Sequence, residues 1–117
     1  MTALIGFLIC FIALTGCTTI NMHTPPPADW PALTVHERTV STAGMIAKCY
    51  PAMPLAHKLI VSLPIACAWI RFDEGTCTIY LTDWTPTSAL EHEYEHCAGR
   101  DHEGESNLRD AWTRYRR

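Results

Sequence analysis

His92-Glu93-Tyr94-Glu95-His96-Cys97-Ala98-Gly99-Arg100-Asp101-His102 is the stretch on which the fold and the chemistry of this chain turn. Its spacing is HExxHxxGxxH. On an α-helix, residues four apart lie about 40° apart around the axis and about 6 Å apart along it. His92 and His96 therefore share one face, close enough to hold one metal ion. Glu93 lies about 100° further round, bordering that ion without pointing at it. A carboxylate so placed can take a proton from water at the metal. His102 would fall on the far side of an uninterrupted helix, about 240° round from His96. Gly99 supplies the escape, because glycine adopts the left-handed conformation that ends a helix and turns the chain back. Three imidazoles and one open position make the layout of a catalytic zinc site rather than a closed structural one.

The same helical wheel assigns the neighbouring residues. Leu90, Tyr94 and Cys97 fall opposite the histidines and predict a core face. Cys97 thus points away from the metal, toward a disulfide or the core. Glu91 and Glu95 flank the metal face and are expected as solvated carboxylates, with hydrogen bonding to imidazole N–H groups as the alternative. Two start signals compete. Thr85-Pro86 offers an N-cap with proline at the first helical position, and Ser88-Ala89-Leu90-Glu91 reads as a capping box.

Upstream, Leu33 to Val40 alternates as a strand, and Ser41 to Tyr50 suggests a short helix capped by Ser41. Ala66 to Phe72 and Thr76 to Leu81 read as two strands joined by a tight turn at Asp73-Glu74-Gly75. Leu108, Ala111, Trp112 and Tyr115 recur at helical spacing, so Glu105 to Arg116 predicts a final amphipathic helix with that stripe in the core. His36 and His57 are expected as ordinary surface or half-buried residues. The class is α+β: short antiparallel strands packed on the metal-binding helix and a C-terminal helix.

The N-terminus carries an address. Ala3 to Leu14 is a 12-residue run without charge, short of the about 20 apolar residues of a membrane span and suited to a signal peptide. It ends in Leu14-Thr15-Gly16-Cys17, which resembles the lipobox of bacterial lipoproteins. That resemblance implies cleavage before Cys17 and lipidation of its thiol. No Lys or Arg precedes the apolar run, a departure from the usual signal. Thr18 rather than Asp follows the cysteine, which in the Gram-negative pattern implies the outer membrane, facing the periplasm. Thr18 to Ala32, with Pro25-Pro26-Pro27 and Pro31, reads as an extended tether. The expected organisation is a signal peptide over 1–16, lipidated cysteine and tether over 17–32, and one small domain over 33–117. Twelve acidic against nine basic residues leave a net charge of −3, which gives no nucleic-acid signature. Arg114, Arg116 and Arg117 are expected at a solvated helix end.

Six cysteines become four structural ones once Cys10 leaves with the signal and Cys17 is lipidated. Cys49, Cys67, Cys77 and Cys97 then argue for two disulfides in an exported domain with a limited core. Three pairings are possible. In the hairpin register Cys77 lies opposite about Arg71 or Phe72, several residues from Cys67, so a bridge between those two would need a bulge. Cys77 shares a strand face with Ile79 and Leu81 that should meet Leu90, Tyr94 and Cys97. This favours Cys77–Cys97 with Cys49–Cys67.

The motif is similar to that of the zincin metallopeptidases, and within them the metzincins. The resemblance implies His92, His96 and His102 as zinc ligands, Glu93 as general base and acid, and Gly99 as the turn. A strand before the motif helix, as Thr76 to Leu81 is expected to be, also resembles the zincin layout, in which an edge strand lines the substrate cleft. The family's methionine turn is missing, because the last methionine is Met53, so a minimal zincin-like domain is the expectation. The implied function is a lipid-anchored, zinc-dependent hydrolase acting on a peptide or peptidoglycan cross-bridge of the cell envelope. The alternative is a zinc-binding or structural envelope lipoprotein without catalysis, which would have no need of Glu93.

Overall fold

A computed structural model describes residues 24–52 and 64–117 of the chain. The elements follow the alternation and periodicity signals closely. Strand β1 covers Thr34–Thr39, helix α1 Thr42–Cys49, strand β2 Cys67–Arg71, strand β3 Thr76–Leu81, helix α2 Thr87–Cys97 and helix α3 Asn107–Tyr115. A single 3-10 turn, Tyr50–Ala52, follows α1. The Ser41 hydroxyl caps α1 by accepting from the Gly44 amide, satisfying one of the amides that a helix start leaves bare.

The three strands form one sheet in the order β1-β3-β2. β2 and β3 are an antiparallel hairpin, with Ile70 opposite Cys77 and Cys67 opposite Tyr80. The register is shifted by one residue from the Arg71 pairing the sequence suggested for Cys77, because the connecting loop is one residue longer. Gly75 makes the turn at φ +65°. β1 runs parallel to β3, from Thr34 opposite Thr76 to Thr39 opposite Leu81. The sheet is therefore mixed, which corrects the all-antiparallel expectation. The stretch from Val40 to Ala66 is long enough to return the chain for a parallel pairing. β3 is consequently the central strand, and β2 is the edge beside the histidine motif. This corrects the expectation that Thr76 to Leu81 would be the edge strand lining the cleft.

Residues directly opposite on neighbouring strands share a face. Ala68, Ile70, Cys77 and Ile79 therefore point to one side. There Cys77, Ile79 and Cys97 form the buried cluster, with Leu33, Val35, Ala68, Ile70, Leu81 and Leu90 packed against it. Tyr94 departs from the expected core face. It is 40% exposed, and its hydroxyl donates to Glu37 Oε2 at 3.1 Å. The phenol is long enough to leave the core edge and reach a polar partner on β1.

Two disulfides staple the layers. Cys77–Cys97 joins β3 to the end of α2, and Cys49–Cys67 joins the end of α1 to β2. Both are the pairings favoured by the face argument. The sequence separations of 18 and 20 residues make each worth about 3 kcal/mol in the chain-entropy view. That contribution matters where the largest fully buried side chains among the described residues are Met45, Cys49, Cys77 and Ile79.

Part of the expected tether is packed. Trp30 meets Phe72 edge-on at 5.4 Å between ring centroids and Trp112 at 6.2 Å. Thr24 forms an isolated antiparallel bridge with Asp101. The expectation that little before Leu33 would pack is thus corrected for residues 24–32. A large aromatic amid prolines is a docking group as well as a spacer, and the proline-rich composition concealed it. Trp112 packs as expected of the α3 stripe, but Tyr115 is 52% exposed. Arg116 ion-pairs with Asp29 and lies over the Trp112 ring rather than standing free in solvent. Among the described residues no helix is long and apolar enough to cross a membrane.

Candidate metal centre

Helix α2 begins without either predicted cap. Pro86 is its N-cap and makes no side-chain capping bond. The Thr85 hydroxyl is already committed: it accepts from the Thr82 amide at 2.8 Å and donates to the Ile65 carbonyl at 2.9 Å. Its C-terminus is better defined. The Gly99 amide donates to the His96 carbonyl and the Arg100 amide to the Glu95 carbonyl, the paired bonds of a Schellman motif. Gly99 sits at φ +90°, the left-handed region that glycine enters without a Cβ clash. The chain turns back there and brings His102 to the helix face that carries His92 and His96.

Every pair among the three ring nitrogens offered by His92, His96 and His102 lies within 4.8 Å. His92 Nε2 and His102 Nε2 are 3.1 Å apart. Two nitrogens on a tetrahedral zinc stand about 3.3 Å apart, given zinc–nitrogen bonds of about 2.0–2.1 Å. One pair is at that spacing, and the widest is within about 1.5 Å of it.

The outer nitrogens decide what faces inward. His96 Nδ1 is 2.8 Å from the Arg100 carbonyl. A carbonyl only accepts, so this nitrogen carries the proton. His102 Nδ1 is 2.9 Å from Glu105 Oε2, and a carboxylate oxygen likewise accepts from the imidazole N–H. Both imidazoles, when neutral, therefore present bare Nε2 lone pairs to the centre, the tautomer that binds a metal. Burial, and then the neighbouring His96 and His102, hold the His92 pKa down at about 4. Burial also lowers that of His96, although the Arg100 carbonyl works against it. Neutral rings at pH 7 are the ligating form. The donor set and its spacing thus suit one metal ion.

Glu93 lines the same cleft as the histidines. Burial raises its pKa to about 7, against the opposing influence of His102 and a hydrogen bond from the Ala68 backbone of β2. A carboxyl titrating near neutrality can both take and return a proton. The cleft, about 280 Å³, also includes Ala68 and Ile70 of the edge strand, Ala66 just before that strand, and the Cys49–Cys67 pair. Cys77 and Cys97 lie in the buried cluster instead. His36 is exposed on β1. Cys10, Cys17, His23, Met53 and His57 lie outside the described residues.

Glu91 and Glu95 are exposed. Glu95 pairs with Arg100 at 2.8 Å rather than with an imidazole. The carboxylate that supports a histidine is Glu105. Its signal in the sequence was the three-residue spacing from His102, obscured by the expectation that it opened the last helix. Asp101 was also missed. It is 4% exposed, and its Oδ2 accepts from the Leu108 amide at 2.9 Å, anchoring the start of α3 to the loop that carries His102.

No protein-family model, curated protein or solved structure matches the chain.

Proposed function

We propose that this chain is a lipid-anchored, zinc-dependent hydrolase of the cell envelope, acting on peptide bonds in a peptide or peptidoglycan cross-bridge. The observation that carries the reading is the convergence of three imidazole nitrogens, two with their tautomers fixed from behind, beside a carboxyl held near neutrality. Binding alone requires only the histidines; the placement of Glu93 is what catalysis adds. A zinc ion held there would supply Lewis-acid polarisation of a carbonyl and acidify water. Glu93 is the group that would accept the proton from the attacking water and return it to the leaving amine. The Ala68 backbone hydrogen-bonds that carboxylate. Ala68 and Ile70 of the edge strand line the same cleft, where an extended substrate could lie. The Leu14-Thr15-Gly16-Cys17 sequence supports anchoring through Cys17, with Thr18 favouring the outer membrane.

A second reading has its own support. The cleft of about 280 Å³ is at the lower limit of usual small-molecule pockets, about 300–1,000 Å³, which suits a metal-binding lipoprotein without catalysis. Glu93→Gln separates the two. Gln has nearly the shape of Glu but cannot act as a base. The variant should retain zinc yet lose turnover by about 10²–10⁴-fold on envelope peptides or peptidoglycan fragments. Cleavage that survives the substitution undiminished would contradict the hydrolase reading. A zinc-loaded wild type that cleaves none of them would favour the second.

A further inference from the structure

His102 is the one candidate ligand outside a helix, so its position depends on whatever holds the loop from Ala98 to Ser106. The Schellman bonds fix Gly99 and Arg100, and Asp101 ties the loop to α3. Glu105 adds two local bonds, its amide donating to the His102 carbonyl at 3.0 Å and its carboxylate facing His102 Nδ1 at 2.9 Å. A further restraint comes from far upstream. Thr24 Oγ1 donates to the His102 carbonyl at 3.0 Å, and the Thr24 backbone bridges Asp101. Trp30 Nε1 donates to the Cys97 carbonyl at 3.0 Å. The indole covers Gly99 so closely that a Cβ built there would stand 2.6 Å from a Trp30 ring carbon. Phe72 and Trp112 hold that indole from its other sides, and Asp29 pairs with Arg116. Neither Thr24 nor Trp30 lines the cleft.

We propose that Thr24 to Trp30 is a positioning strap for the third metal ligand, so that metal affinity is set in part by residues upstream of the apparent domain. The inference rests on the metal-site reading. Without the strap, the Gly99 turn loses its cover and the His102 backbone loses its outside hydrogen bond. His92 and His96 remain on their helix, and the third imidazole keeps its local Glu105 contact but loses the restraint from outside its loop. The strap acts through His102 and touches neither metal nor substrate.

The test compares the full chain with Thr24→Val, Thr24→Ser and Trp30→Ala, each alone and combined with His102→Ala. Zinc affinity is read by chelator competition, and ligand geometry by the visible spectrum of the cobalt(II) form. Thr24→Val and Trp30→Ala should weaken zinc binding about 10-fold, the lower end of what outer contacts to ligands are worth, and should alter the cobalt spectrum. Thr24→Ser keeps the hydroxyl and should behave as wild type. In the His102→Ala background the strap variants should cause no further loss. Unchanged affinity and spectrum in Thr24→Val would overturn the proposal even if Trp30→Ala did not fold. An equal loss with and without His102 would also overturn it, because that is the signature of general destabilisation. A wild type that bound neither zinc nor cobalt would defeat the metal-site reading itself, a result distinct from wild-type binding that the strap variants leave unaltered.

Discussion

Gly99→Ala should be the most damaging single-methyl substitution at any of the three left-handed glycines among the described residues, and the structure separates its cost into two parts. Gly75, Gly99 and Gly104 have φ of +65°, +90° and +79°. An L-residue held in the left-handed region costs about 1–2 kcal/mol, so each position carries that penalty. Only at Gly99 is the space also filled. The added Cβ would lie 2.6, 2.8 and 2.9 Å from three Trp30 ring carbons, whereas nothing lies within 4 Å at Gly75 or Gly104. Overpacking of this kind costs about 1–3 kcal/mol. Gly99→Ala should therefore lose about 2–5 kcal/mol and Gly75→Ala about 1–2 kcal/mol. Urea unfolding in chelator, with both disulfides intact, measures the difference without contribution from metal. Trp30→Ala should reduce the extra cost of Gly99→Ala, because it removes the ring that is struck. Equal losses at Gly99 and Gly75, or a Gly99 penalty unchanged by Trp30→Ala, would refute the argument that the indole closes over the turn.

Other substitutions probe the surroundings of the site. Glu105→Gln replaces the acceptor of the His102 Nδ1 proton and should weaken zinc binding by at least about 10-fold, as read by chelator competition. In metal-free protein, the raised Glu93 pKa, about 7 against an ordinary 4.5, contributes stability that is present below pH 4.5 and lost as pH rises through 7. The lowered His92 pKa, about 4 against 6.5, works the other way, contributing stability present above pH 6.5 and lost as pH falls toward 4. Glu93→Gln should therefore gain stability relative to wild type as pH rises from 4.5 to 7 in unfolding titrations; a constant difference would contradict the buried-carboxyl assignment. Cys17→Ser should accumulate uncleaved precursor and remove the detergent-partitioning mature form, as seen by mass spectrometry and phase separation.

Local signals carried much of the fold. The alternation of Thr76 to Leu81 placed Cys77, Ile79 and Leu81 on one face, the helical wheel placed Leu90 and Cys97 on another, and their meeting followed from burial alone. The Cys77–Cys97 disulfide was readable for that reason. Pairing between distant segments carries no such local mark, so the parallel register of β1 on β3 was not visible, nor was the promotion of β2 to the edge. At the site, His92, Glu93 and His96 were fixed by helical geometry, and Gly99 announced the turn to His102. The groups behind the rings were harder to find. The Arg100 carbonyl is backbone chemistry common to any residue. Glu105 sits in a polar loop where a carboxylate is unremarkable by composition. Thr24 and Trp30 act across 78 and 67 residues of chain, and only the folded backbone brings them to the metal-site loop.

Zinc content is the most direct test of the central claim. The full chain and its His102→Ala variant would be loaded with zinc, dialysed against buffer containing a weak chelator, and measured by elemental analysis per mole of protein. The three-imidazole centre predicts one zinc per wild-type chain and a large loss on replacing His102. Equal zinc in both proteins would remove His102 from the site, and no zinc in either would contradict the metal centre altogether.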